Sequence, residues 1–139
     1  MVRIKKQIFF IKGELMSKLL IINALAPEAY DDCHIAGSIN APLATLESYV
    51  KNIPKDTEIV VYCAHYECPV SRNAWHLLKK LGFTNIFAYE GGMAEWKKKG
   101  YPSQGSCKSE YLEEKHSPKE SDKSVKTITA EQLLQKLKK

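Results

Sequence analysis

The chain has 139 residues, a formal net charge of +5 and 44% hydrophobic residues, which suits one domain with its own core and not two full ones. The basic residues are mostly scattered lysines, with no arginine-rich stripe, so we expect no nucleic-acid partner. No apolar run is long enough to span a bilayer, and the run at 8–11 is shorter than a signal-peptide core. These features predict a cytoplasmic protein with no membrane partner.

The elements alternate along the chain. Leu19–Ile22 is a continuous apolar run typical of a buried strand, and Ile59–Tyr62 is a second one. Between them the pattern predicts a short helical turn at 27–30, a loop and a short extended piece at 34–40, and a helix with its apolar positions at 43, 46 and 50.

The next helix has its apolar face at 70, 74, 77, 78 and 81, with Pro69 in its first turn and Gly82 at its end. A third strand follows at 86–89, and Gly91-Gly92 opens a helix that carries Met93 and Trp96. Strands that alternate with helices predict an α/β domain with a mainly parallel sheet flanked by helices on both faces.

Composition divides the chain. We predict an N-terminal extension (1–17), the α/β domain (18–102), a polar linker (103–126) and a C-terminal amphipathic helix (127–139). Thr129 and Gln132 have the spacing of a capping box.

The four cysteines are Cys33, Cys63, Cys68 and Cys107. Their uneven spacing, in a chain with an adequate core, predicts no disulfide framework. Cys63 stands where a buried strand ends and a helix follows, and the unpaired N–H groups of a helix start favour the reactive thiolate.

Four segments resemble the rhodanese-like domain family, over about 18–102. They are Leu19–Asn23, Cys33–Pro42, Val60–Cys63 and Glu90–Trp96 with the following Gly100-Tyr101-Pro102. The resemblance implies sulfurtransferase chemistry, in which a cysteine takes a sulfane sulfur, holds it as a persulfide and passes it on. It implies a small-molecule or protein sulfane-sulfur donor and a thiol acceptor, with no organic cofactor and no metal.

The chain departs from the family pattern. Asn23 and Leu25 replace the usual Asp-x-Arg at the end of the opening strand, and the loop after Cys63 is longer, lacks glycine and has no arginine before Arg72. Thiosulfate therefore becomes a doubtful donor. The Cys-x5-Arg pattern of phosphatases and arsenate reductases is missing, since Pro69 holds the arginine position.

Several loop residues are candidates for the site. Cys63 is the predicted nucleophile, Cys68 a resolving thiol or a packing residue, and His65 a cation beside the thiolate or a solvated side chain. The predicted substrate-binding residues are Ala64, Tyr66, Glu67, Ser71 and Arg72, although helix capping is the preferred role for Ser71. A zinc site made of Cys63, His65, Cys68 and either Cys33 or His34 is a minor alternative.

Two other functions remain open. One is a thiol redox switch through a Cys63–Cys68 disulfide, and the other is a catalytically silent interaction module. Family members usually open with a short strand and a capped amphipathic helix, which 127–137 resembles. We therefore predict that the C-terminal tail folds back and supplies these elements, as in a circular permutation.

Overall fold

The computed structural model describes residues 19–117 and 123–138. The predicted N-terminal extension lies outside these ranges. Within them, no helix has the length and apolar character needed to cross a membrane.

The described elements alternate as the pattern predicts. The strands are β1 (Leu19–Asn23), β2 (His34–Ile35), β3 (Ile39–Asn40), β4 (Glu58–Tyr62), β5 (Ile86–Tyr89) and β6 (Ser103–Gln104). The α-helices are α1 (Pro27–Asp32), α2 (Leu46–Tyr49), α3 (Val70–Lys80), α4 (Gly92–Lys98) and α5 (Ala130–Lys138). Short 3-10 helices lie at Leu43–Thr45 and Glu110–Leu112.

The central sheet is parallel, with strand order β3-β1-β4-β5. Its inner strands are buried on both faces, which explains why β1 and β4 read as continuous apolar runs. The predicted fold class is confirmed.

Alternate residues along the strands pack into two separate hydrophobic cores, one on each face of the sheet. Leu20 and Ile22 pack into the core on the face of α2 and α3. Ile21 between them packs into the opposite core with Met93 and Trp96 of α4. The period-2 geometry of a strand thus places helices on both faces of the sheet.

The segment predicted as a polar linker is folded onto the domain over residues 103–117. Strand β6 pairs antiparallel with β2, and Leu112 is buried in the core on the α4 face. A disulfide joins Cys33 to Cys107, a bond that the prediction of no disulfide framework did not foresee. Polar composition misled the prediction, because this segment is held by a covalent bond and by backbone pairing.

The Asp32 side chain also holds this segment. Its carboxylate accepts hydrogen bonds from the backbone N–H groups of Lys108 (3.0 Å) and Ser109 (3.1 Å) and from the Ser106 hydroxyl (3.2 Å). These hydrogen bonds, with Lys108 N–H first, lower the pKa of Asp32.

The C-terminal tail lies against the edge of the sheet. Thr127 forms a parallel bridge with Ala88 of β5, through backbone hydrogen bonds of 2.8 and 3.1 Å on either side. Thr129 and Gln132 make the reciprocal hydrogen bonds of a capping box (3.0 and 3.1 Å), and α5 follows. Leu133 and Leu137 of this helix are buried in the same core as Met93 and Trp96.

Candidate active site

The loop between β4 and α3 carries the two free cysteines, Cys63 and Cys68. Cys63 follows the last residue of β4 and is fully buried, at the carboxyl end of the parallel sheet where active sites of such folds lie. Cys68 is partly exposed and precedes Pro69, the residue before α3.

The start of α4 fixes the beginning of this loop. The N–H groups of Met93 and Ala94 donate to the carbonyl oxygens of Cys63 and Ala64, both at 2.9 Å. Gly92 permits this close approach, because a Cβ at that position would lie 2.6 Å from the Cys63 oxygen. Gly92 also has a φ of +68°, a conformation that favours glycine.

Hydrogen-bond donors converge on both sulfur atoms. The Ser71 N–H donates to Cys63 Sγ at 3.3 Å, and the Ser71 hydroxyl also hydrogen-bonds to that sulfur. Cys63 donates in turn toward the Cys68 carbonyl oxygen at 3.6 Å and hydrogen-bonds with the Cys68 thiol. The N–H groups of Val70 and Ala64 donate to the sulfur of Cys68.

The two thiols therefore titrate as a pair. The hydrogen bond from Cys63, aided by the Val70 and Ala64 N–H groups, lowers the pKa of Cys68 to about 6. The same hydrogen bond and burial raise the pKa of Cys63. The first negative charge thus lies mainly on Cys68, whereas sequence reasoning placed it on Cys63. The reason is that Cys63 is the more deeply buried of the two and acts as the donor.

Ser71 contacts sulfur and does not cap the helix. No side chain caps the start of α3, and both the N–H and the hydroxyl of Ser71 are directed at Cys63. The predicted preference for capping is therefore wrong, because Ser71 lies inside the first turn of the helix.

Two of the predicted substrate-binding residues, Tyr66 and Arg72, contact acidic side chains of the same chain. The Tyr66 hydroxyl donates to Glu95 at 2.7 Å, and Arg72 forms an ion pair with Glu90 at 3.2 Å. A cavity of about 290 Å³ opens beside Tyr66 and Glu95, and neither cysteine lines it.

Two residues that sequence reasoning left without a role lie at this loop. His116 stacks on His65, with ring centroids 3.8 Å apart and planes 4° from parallel, and its Nδ1 lies 3.0 Å from a Glu67 carboxylate oxygen. The ring of Tyr111 lies 6.1 Å from that of His65. Both sit in the segment predicted as a linker, and no periodicity or motif in that segment indicates a contact across the 49 residues from Glu67 to His116.

The surroundings of His116 favour its protonated form. Its Nε2 lies 2.8 Å from the Tyr111 carbonyl oxygen, so both ring nitrogens face oxygen acceptors, which only the doubly protonated ring can satisfy. Burial opposes this charge, but the hydrogen bonds to Glu67 and to the Tyr111 carbonyl outweigh it and raise the pKa of His116.

The cluster of His65, Glu67 and His116 has the composition of a metal site, with potential ligand atoms within 4.8 Å of one another. Its geometry opposes metal binding. A histidine nitrogen binds a metal in the plane of its ring at about 2.0–2.1 Å. Two stacked rings in nearly parallel planes cannot both direct a lone pair at one ion without a large rotation.

The zinc alternative from the sequence also loses its fourth ligand. Cys33 is held in the disulfide. His34 stacks on Tyr30 at 3.8 Å and hydrogen-bonds to the Tyr30 carbonyl at 2.7 Å, so it is engaged beside α1.

We predict that Glu67→Gln lowers the pKa of His116, because the amide removes a charged acceptor. The raised pKa contributes stability that is fully present below the ordinary imidazole value of 6.5 and is lost as pH rises through the folded value. NMR titration of the His116 ring measures the shift, with the exposed Glu113→Gln as the matched control. Equal midpoints in the unsubstituted chain and Glu67→Gln would contradict the prediction.

A parallel sheet that delivers a buried cysteine from a strand end into the loop before a helix defines an α/β domain with a strand-end thiol site. The profile of the rhodanese-like domain matches residues 11–99. The chain belongs to the rhodanese-like domain family, which confirms the resemblance drawn from its four segments.

Relatives fall into more than one class. The chain is 30% identical to the thiosulfate sulfurtransferase GlpE of Coxiella burnetii, over 66% of this chain and 87% of that protein. It is 28% identical to the HTH-type transcriptional regulator Rv0324 of Mycobacterium tuberculosis, where the match spans 61% of this chain but only 37% of the regulator.

Solved structures show the same fold. A Rhodanese_3 like domain from the Anabaena Alr3790 protein superposes with a TM-score of 0.58 at 30% identity, covering 63% of this chain and 92% of that one. The BH2092 protein of Bacillus halodurans superposes with a TM-score of 0.60 at 26% identity, covering 65% of this chain and 66% of that one.

Proposed function

We propose that this protein is a sulfurtransferase or persulfide carrier that holds sulfane sulfur on Cys63 and passes it to a thiol acceptor. The observation that carries the proposal is the hydrogen-bonded pair of thiols at the carboxyl end of β4, with N–H groups directed at both sulfur atoms. Membership of the rhodanese-like family and similarity to thiosulfate sulfurtransferases support the same class of reaction.

The thiol pair suits the loading step. The Cys63 sulfur attacks the outer sulfur of a donor R–S–SH, a new S–S bond forms on Cys63, the S–S bond of the donor breaks, and R–S⁻ leaves with the bonding electrons. The Cys63 proton passes to the Cys68 thiolate to which it is hydrogen-bonded. An acceptor thiolate then attacks the outer sulfur, and Cys63 leaves as the thiolate.

Charge around the loop favours a donor of low charge. Residues 63–71 contain neither lysine nor arginine. Arg72 is engaged by Glu90, and His116 is paired with the Glu67 carboxylate. A thiosulfate dianion would meet little positive charge here, so the proposed donor is a persulfide on a small molecule or a protein.

Mass spectrometry under anaerobic conditions tests the proposal. The protein is treated with inorganic polysulfide as the probe, and added sulfur is located by peptide mapping. One added sulfur on Cys63 supports the proposal. A protein that gains no sulfur on either thiol of the loop would overturn it and leave the silent interaction module.

Cys68→Ser should raise the pH at which Cys63 loads and should lengthen the life of its persulfide. The serine hydroxyl cannot hold the negative charge that Cys68 holds with a pKa of about 6, so the first ionisation of the site moves to the buried Cys63 at higher pH. The serine also cannot attack the persulfide. Loading rate against pH and persulfide lifetime are the measurements, and unchanged values of both would show that Cys68 only packs.

A second candidate function is a thiol redox switch. The hydrogen bond between the two thiols favours it, because it brings the sulfur atoms of Cys63 and Cys68 together. Hydrogen peroxide would oxidise the pair to a disulfide, with loss of two hydrogen atoms and formation of two waters. A Cys63–Cys68 disulfide under mild peroxide, in a protein that polysulfide does not load, would favour the switch.

A cytoplasmic location remains a prediction, and the Cys33–Cys107 disulfide counts against it. Disulfides persist mainly in oxidising compartments. Alkylation of free thiols at the moment of cell lysis, followed by mass analysis, would show whether this disulfide exists in the cell.

A further inference from the structure

The 3-10 helix Glu110–Leu112 lies beside the loop that carries Cys63 and Cys68, and several contacts hold it in place. Leu112 anchors it in the core on the α4 face, and the preceding turn is held by Asp32 and by the Cys33–Cys107 disulfide. On its other side, His116 hydrogen-bonds to the Tyr111 carbonyl and stacks on His65 of the loop. The position of Tyr111 relative to the loop is therefore well defined.

The Tyr111 hydroxyl is a buried polar group without a hydrogen-bond partner among the described residues. Such groups are rare in folded proteins, because an unmade hydrogen bond in the interior is costly. The Tyr111 ring lies 6.1 Å from that of His65, two residues along the loop from Cys63. Burial and then the negative charges of Asp32, Cys63 and Cys68 raise the pKa of its hydroxyl to about 12, so it keeps its proton at physiological pH.

We propose that the Tyr111 hydroxyl donates a hydrogen bond to the outer sulfur of the Cys63 persulfide. This inference rests on the proposed function and names a sulfur-binding residue within it. A persulfide extends the cysteine side chain by one S–S bond of about 2 Å. The added sulfur supplies the acceptor that the buried hydroxyl lacks among the described residues. The contact needs no proton transfer, and it stabilises the anionic form Cys63–S–S⁻.

Tyr111→Phe tests the proposal, because it removes the hydroxyl and keeps the ring. Before loading, the variant should melt at or above the temperature of the unsubstituted chain, since no protein hydrogen bond is lost. After loading with inorganic polysulfide, its persulfide should decay about tenfold faster, because one hydrogen bond to a charged acceptor is lost. The pH profile of persulfide alkylation should shift upward, because the anion loses a donor.

The exposed Tyr49→Phe is the matched control and should change none of these measurements. Equal persulfide lifetimes and equal alkylation profiles in Tyr111→Phe and the unsubstituted chain would overturn the inference while the proposed function stands. A lower melting temperature before loading, with unchanged persulfide chemistry, would assign Tyr111 a structural role and would also overturn it. An unsubstituted chain that takes up no sulfur would overturn the proposed function itself.

Discussion

Cys63→Ser is expected to abolish sulfur loading at the loop and to leave the fold intact. The hydroxyl is too weak a nucleophile to attack a sulfane sulfur, whereas the thiol has a hydrogen-bonded base beside it in Cys68. The two side chains differ little in size, and the serine hydroxyl can still accept the Ser71 N–H that now donates to sulfur. We expect at least a hundredfold loss of loading rate, in the range of lost nucleophilic catalysis.

The measurement is intact mass after polysulfide treatment, together with thermal unfolding. Cys68→Ser, assayed at the higher pH at which it is expected to load, is the matched control, because it removes a thiol from the same loop but leaves the proposed carrier. Full loading of Cys63→Ser would refute the assignment of Cys63. If Cys68 alone took up sulfur in that variant, the carrier role would move to the thiol with the lower pKa.

The parallel sheet was predictable because its signal is local and strong. Leu19–Ile22 and Ile59–Tyr62 are apolar at every position, which in a strand requires cover on both faces, and the intervening helix patterns supply that cover. The strand-end position of Cys63 follows from the same local pattern, since a cysteine at the end of a buried parallel strand faces the active-site edge.

The surroundings of the thiols were not predictable in the same way. Tyr111 and His116 come from a polar segment whose position depends on a distant disulfide and on the Asp32 side chain, and neither leaves a periodic pattern in the sequence. The direction of the Ser71 N–H toward Cys63 and the contact of the Cys63 thiol with the Cys68 carbonyl oxygen depend on distances of a few tenths of an ångström. Residue spacing alone does not determine such distances.

The second large effect is expected on stability, from changes in the C-terminal tail. The sequence of 127–137 resembles the opening strand and helix of family members. In the structure Thr127 pairs with the β5 edge, and α5 covers the core. If the domain depends on this tail, the order of elements along the chain differs from the usual family order while their packing is retained. Whether the domain depends on the tail is decided by the free energy of unfolding that the tail contributes.

Leu133→Ala should lower the free energy of unfolding by about 2–5 kcal/mol, the range for a fully buried leucine, and the melting temperature by roughly 6–15 °C. The exposed Gln135→Ala on the same helix is the matched control and should stay within about 0.5 kcal/mol. Deletion of residues 124–139 should cost more than Leu133→Ala, because it also exposes the apolar surface that Ile128 and Leu137 cover. A truncated protein that melts at the temperature of the full chain would show that the domain is complete without the tail, and the permuted arrangement would then contribute nothing to its stability.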